Sequence, residues 1–286
     1  MWLFLALLTA IFTSVQDVLS KRALTRVNGY IVCWGWWFFS LPFLFIYLMI
    51  DGIPLLYPTF CLSVATDTFL LVAGALCYIK ALKSSDLSLS VPMLSFSPLL
   101  LLFTSRIMLN EVPGPMGIVG VLFIVAGSYL LFLKRWSDGI FAPLKSLLHN
   151  KGSRYMLAVV VLFSIGGNLD KIGVVHSSPI MWIFVLNSTS SIVLYLVMRF
   201  RAKNVPMEVK QHWKLLLVIG FFNALAYLLQ MYAITLTLVP YLIAVKRMSV
   251  LFTSLYGFII LKERLEKRLI GIVLMIIGVF LMSFFV

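Results

Sequence analysis

Charge is scarce in this chain. Only 12% of its 286 residues are Asp, Glu, Lys or Arg, while 62% are hydrophobic. A soluble domain of this size could not bury so much apolar surface, which excludes the soluble classes. Cysteine is nearly missing too: Cys33, Cys61 and Cys77 stand apart, with no CxxC spacing. That excludes a disulfide framework and a cysteine metal site, and leaves three small apolar side chains. Histidine is as rare: His149, His176 and His212 fall in loops or at segment ends, and no HExxH occurs. Neither a paired-aspartate protease motif nor a Walker lysine motif is present, which argues against an intramembrane hydrolase and an ATP-driven pump. The chain reads as a non-enzyme with no cofactor and no metal.

Acidic residues are few as well, ten against 23 Lys and Arg, for a net charge of +13. In a soluble protein that balance would suggest nucleic acid, but no nucleic-acid motif is visible. Basic loops that meet anionic lipid headgroups account for it. The expected partner is the lipid bilayer.

Long apolar runs are what the chain does have. Ten can be drawn, at about 2–20, 30–50, 61–82, 88–109, 115–133, 154–173, 179–199, 213–236, 239–261 and 268–285. They are continuous instead of alternating, which excludes a β-barrel and predicts an all-α membrane protein with ten transmembrane helices. The start, Met1-Trp-Leu-Phe-Leu-Ala, lacks a basic region before its apolar run and reads as the first span, not a cleaved signal peptide. The longest hydrophilic stretch, Lys134 to Arg154, is basic. It divides the chain into a first unit of five spans (1–133), a cytoplasmic linker (134–153) and a second unit of five spans (154–286).

Of the 23 Lys and Arg, all but Arg106, Lys171, Lys246 and Arg247 fall at the odd-numbered connections. By the positive-inside rule those connections are cytoplasmic, so both termini are expected outside. The two halves repeat. Ala81 to Glu111 aligns with Ala233 to Glu263, and Gly120 and Gly127 then match Gly271 and Gly278. Five spans per copy means that the second copy is inserted upside down. Inverted repeats mark secondary transporters, whose sites sit near the midplane between the copies.

One stretch in the ninth segment stands out. Pro240-Tyr-Leu-Ile-Ala-Val-Lys-Arg-Met-Ser places Lys246 and Arg247 inside a run otherwise fit for lipid. At about 1.5 Å per residue the pair lies about 10 Å below the start of the run. A charge at such depth costs several kcal/mol unless it faces a partner or a wet cavity, so the pair marks a site. Two cations suggest an anionic ligand, gripped by the planar fork of Arg and the compact charge of Lys. A structural alternative is an internal ion pair, for which Asp67 in the third segment is the candidate partner. Tyr78 and Gln230, at equivalent places in the repeat, and Tyr227 are the leading cavity-lining candidates. Asp17, near the inner end of the first segment, is a candidate gate or proton relay, set against a helix-end pair with Lys21. Asp170-Lys171 reads as an interfacial pair. Glu111 and Glu263 close the fourth and ninth segments and need cations, for which Arg106 and Lys267 are at hand.

These features resemble the drug/metabolite transporter superfamily in its ten-helix EamA-type form. The resemblance is carried by Ala81-Leu82, Pro92, Pro98, Glu111, Gly120 and Gly127, then Tyr232-Ala233, Glu263, Gly271 and Gly278. It implies a proton-coupled, facilitative or exchange carrier. The Lys246-Arg247 pair is also similar to the ninth-helix pair with which plastid sugar-phosphate translocators grip a phosphate. Those carriers add a lysine in the fourth helix, where this chain has only Arg106. The predicted function is a secondary transporter of a small organic anion, phosphorylated or carboxylated, by alternating access. Flipping of a lipid with an anionic head and export of amino acids or drugs stay open beside it. The expected setting is a bacterial inner membrane, with the chain a monomer or a homodimer. The substrate-binding set is Lys246, Arg247, Asp67, Tyr78, Tyr227 and Gln230.

Overall fold

A computed structural model describes residues 1–84, 91–132, 150–202, 205–253 and 269–284. Every regular element among the described residues is helical. In order they are α1 (Trp2–Leu24), α2 (Gly29–Phe38), α3 (Leu41–Asp51), α4 (Thr59–Ser84), a 3₁₀ turn (Val91–Phe96), α5 (Ser97–Leu109), α6 (Pro115–Phe132), α7 (Lys151–Val175), α8 (Pro179–Arg201), α9 (Val205–Ile234), α10 (Val239–Lys246) and α11 (Leu269–Phe284). Six stretches among them, including Gly29–Asp51 taken as one, are long and apolar enough to cross a bilayer. The protein is an integral, multi-pass membrane protein.

The termini of these helices are set by local chemistry. Asn28, Asn150 and Ser178 accept from the backbone N–H of Tyr30 (3.1 Å), Gly152 (2.9 Å) and Met181 (3.2 Å), satisfying donors that would otherwise be orphaned in the first turn. Pro115, Pro179 and Pro240 sit in first turns, where a missing N–H costs nothing. Asn110 ends α5 in the left-handed conformation (φ 55°), as Asn tolerates better than most residues.

Four boundaries differ from the sequence expectation. The second apolar run is broken at Phe39-Ser40, between α2 and α3. Pro42 explains it, because it has no N–H to offer the Phe38 carbonyl and its ring crowds that oxygen. The fourth run opens as a 3₁₀ turn before α5. α9 begins at Val205 instead of near 213, carrying polar residues such as Lys210 and His212 on its first turns. α10 ends at Lys246, and its last turn tightens: Met248 N–H donates to Val245 at 2.9 Å and Val250 N–H to Arg247 at 3.1 Å. These are i→i+3 bonds of the 3₁₀ type. The tightened turn after α10 and the Val91–Phe96 turn are at equivalent places in the two aligned copies.

Helix pairing follows the same correspondence. α4 lies along α7 and α1 along α9; α5 meets α7 and α10 meets α1; α6 lies along α11. Exchanging α1 for α7, α4 for α9, α5 for α10 and α6 for α11 interchanges the first four pairings and leaves α6–α11 as it is. Glycine makes the α6–α11 contact possible. A methyl at Gly120 would sit 2.8 Å from the Gly278 carbonyl oxygen, and one at Gly127 would sit 2.5 Å from that of Gly271. Only a backbone without Cβ lets two helices touch this closely in lipid.

Candidate functional site

Lys246 and Arg247 emerge where α10 gives way to its tightened turn, and both are half-buried. Their partners are neutral. Lys246 donates from Nζ to Oε1 of Gln230 at 2.6 Å, and the same nitrogen stands 4.5 Å over the centre of the Tyr227 ring. A cation over an aromatic face gains about 0.5–2 kcal/mol, much less than a desolvated ammonium loses. Arg247 donates to the Ser97 hydroxyl from Nε at 3.1 Å and from Nη2 at 2.5 Å. Ser97 opens α5, so the guanidinium reaches from the second half of the chain to the first. No carboxylate of a described residue forms an ion pair with either cation. Asp67 does not serve as the counter-ion.

Carboxylates act on the pair from a greater range. Asp17, an exposed side chain of α1, exerts its charge on both Lys246 and Arg247. It forms no ion pair with Lys21. Tyr78 of α4 feels the Asp17 charge and has its ring 6.3 Å from that of Trp36. Trp36 in turn donates to Ser20 at 2.8 Å, and its carbonyl accepts from Asn223 at 2.9 Å; Asn223 accepts from Gln16 at 3.1 Å. A polar seam thus runs between α1, α2 and α9 beside Asp17. Lys246, Arg247, Gln230, Tyr227 and Tyr78 are brought to one region, within reach of the charge of the exposed Asp17. Asp67 is 2% exposed and lies on the α4–α7 face instead, with Asp170.

Two pairings differ from the sequence expectation. Glu111 bonds Lys171 at 2.5 Å, not Arg106, which is exposed. Its second oxygen accepts the Val239 N–H at 2.9 Å, capping the first turn of α10, while Lys171 also donates to the Thr237 carbonyl at 2.8 Å. Asp170 is no interfacial residue: it is buried and accepts from Trp182 Nε1 at 2.8 Å. Asp170 and Lys171 are adjacent on α7, so their side chains point about 100° apart and serve different partners. Glu263 and Lys267 lie outside the described residues. Sequence reasoning had not singled out Ser97, whose hydroxyl is the acceptor for Arg247; its only signal was a Ser one residue before Pro98.

The profile of the EamA-like transporter family matches residues 1–133 and 150–284. No curated protein matches the chain. A solved crystal structure of a protein 14% identical superposes with a TM-score of 0.76, covering 99% of this chain and 96% of that one. It shows the fold alone.

Proposed function

Because the chain belongs to the EamA-like transporter family, within the drug/metabolite transporter superfamily, we propose that it is a secondary transporter of a small organic anion with a phosphorylated or carboxylated head. One observation carries this reading. Two full positive charges in the interior are held by an amide, a hydroxyl and an aromatic face, and no ion pair neutralises them among the described residues. An internal lock would pair them. An anion entering between Lys246 and Arg247 would supply the missing charge, with Gln230 and Ser97 already orienting both donors.

Alternating access is the mechanism that fits. Both copies have a tightened turn at equivalent positions, one at Lys246–Met248 and one at Val91–Phe96, and broken helices of this kind are where carriers place their ligands. Arg247 to Ser97 spans the two proposed inverted copies, as does Glu111 to Lys171. Rocking of one five-span unit against the other would open the site to one side at a time. We place the chain in a bacterial inner membrane with both termini outside. The test is a thermal-shift screen of the purified protein against phosphorylated metabolites, carboxylated metabolites and a polyprenyl phosphate. Ligands that bind only the folded state raise its stability. Stabilisation by phosphate- or carboxylate-bearing solutes supports the proposal; stabilisation by cationic or neutral compounds alone contradicts it.

A further inference from the structure

Asp67 is the anomaly of the interior. It is 2% exposed, yet makes no hydrogen bond and no ion pair with any described residue. A carboxylate held so nearly out of water and unpaired costs several kcal/mol if ionised, so a bound cation or a proton would stabilise it. Its surroundings are built to hold it. Oδ1 sits 2.8 Å from the place a methyl on Gly166 would take, so the missing side chain of α7 is the recess that receives the carboxylate. Asp170 is four residues further along α7, on the same face. It is 7% exposed, accepts one hydrogen bond from Trp182 at 2.8 Å, and its charge acts on Asp67.

The other elements bring little to neutralise this pair. α9 offers the phenol of Tyr227, α10 offers Lys246 acting on Asp170 at range, and α8 offers Trp182 and Thr189, the latter bonded to Thr68. α5 turns Thr104 and Ser105 to Asn168 and leaves Arg106 exposed. Lys171 is committed to Glu111. The part of α2 with titratable groups lies away from the pair, where Lys83 covers the Tyr30 ring. Two carboxylates in one buried site cannot both ionise without strong repulsion, and they titrate as a unit.

We propose that Asp67 and Asp170 form a proton-binding site, sharing one exchangeable proton apart from the anion cradle at Lys246-Arg247. The site stands whether or not the transport reading holds. Only its role, as the coupling-ion site of the carrier, rests on that reading. A proton fits better than a metal cation, because no group of three or more His, Cys, Asp or Glu side chains able to hold a metal ion occurs among the described residues.

The test needs no substrate. pH-difference infrared spectroscopy on the full chain in liposomes should show the carbonyl stretch of a protonated carboxylic acid at neutral pH. That band should shift when aspartate is isotope-labelled and disappear as the pH is raised. It should be lost in Asp67→Asn and displaced in Asp170→Asn; Gly166→Ala, which fills the recess, should also displace it. The labelled wild-type titration decides the matter even if a variant fails to fold. No protonated aspartate band at neutral pH, or one unmoved in both aspartate variants that fold, overturns the proposal. So does the absence of the band together with a thermal stability that rises in sodium but not in choline chloride.

Discussion

Glu111→Gln should destabilise the protein by about 1.5–3 kcal/mol, the worth of one hydrogen bond to a charged group. Glu111 is 7% exposed and its partner Lys171 is 21% exposed, so solvent screening is weak on one side and moderate on the other. Gln keeps an acceptor for the Val239 N–H, so this variant isolates the charge. Glu111→Ala removes the acceptor as well, leaves a buried N–H at the start of α10, and should cost about 3–5 kcal/mol. Lys171→Met removes the other partner. In a double-mutant cycle on denaturant unfolding in detergent, Glu111→Gln and Lys171→Met should couple by more than about 1 kcal/mol. Additivity within about 0.5 kcal/mol would refute the inference that this bridge ties the first-half turn to α7 and α10.

Other consequences can be measured directly. Gly127→Ala drives a methyl to 2.5 Å from the Gly271 carbonyl oxygen and should cost about 1–3 kcal/mol, whereas Gly114→Ala, with nothing within 4 Å, should be neutral in the same melts. Gln230→Leu strips Lys246 of its acceptor, so anion affinity should change while the Arg247–Ser97 bond persists; an unchanged ligand-induced thermal shift would show that Gln230 has no part in the site. Gly114→Cys and Ser177→Cys should react with an impermeant reagent added outside intact cells, and Ser137→Cys should not; the reverse pattern would invert the proposed orientation.

Much of this architecture could be read from the residues. Continuous apolar runs and short Asn, Gly or Pro breaks predict the helices, since a bilayer permits little else. The glycines at 120, 127, 271 and 278 are part of the expected repeat, and their crossed contacts, 120 with 278 and 127 with 271, give that spacing a packing reason. What was hidden is instructive. Hydropathy sees only the lipid-facing middle of α9, so its polar start from Val205 was missed, including Glu208, which accepts the Asn28 N–H at 2.9 Å. The partners of charged residues were also beyond reach: Lys171 finds Glu111 sixty residues away, while Arg106, closer in sequence, points outward. Lys246 and Arg247 were legible as buried cations. That their partners are Gln230, Tyr227 and Ser97, and that Asp67 belongs with Asp170, depends on which helices pack together, which no single span records.

The central claim is that Lys246 and Arg247 hold an anion, and uptake in liposomes by their variants tests it most directly. The substrate is the ligand found by thermal shift, and monodispersity of each variant is the folding control. Arg247→Lys keeps the charge but loses the planar fork, and should weaken binding by about one to two decades. Arg247→Ala should do more, and Lys246→Gln should also cut affinity, with all three proteins folded in the membrane. Unchanged uptake in both Arg247→Ala and Lys246→Gln would contradict the account, and loss of folded protein in both would make the cations structural.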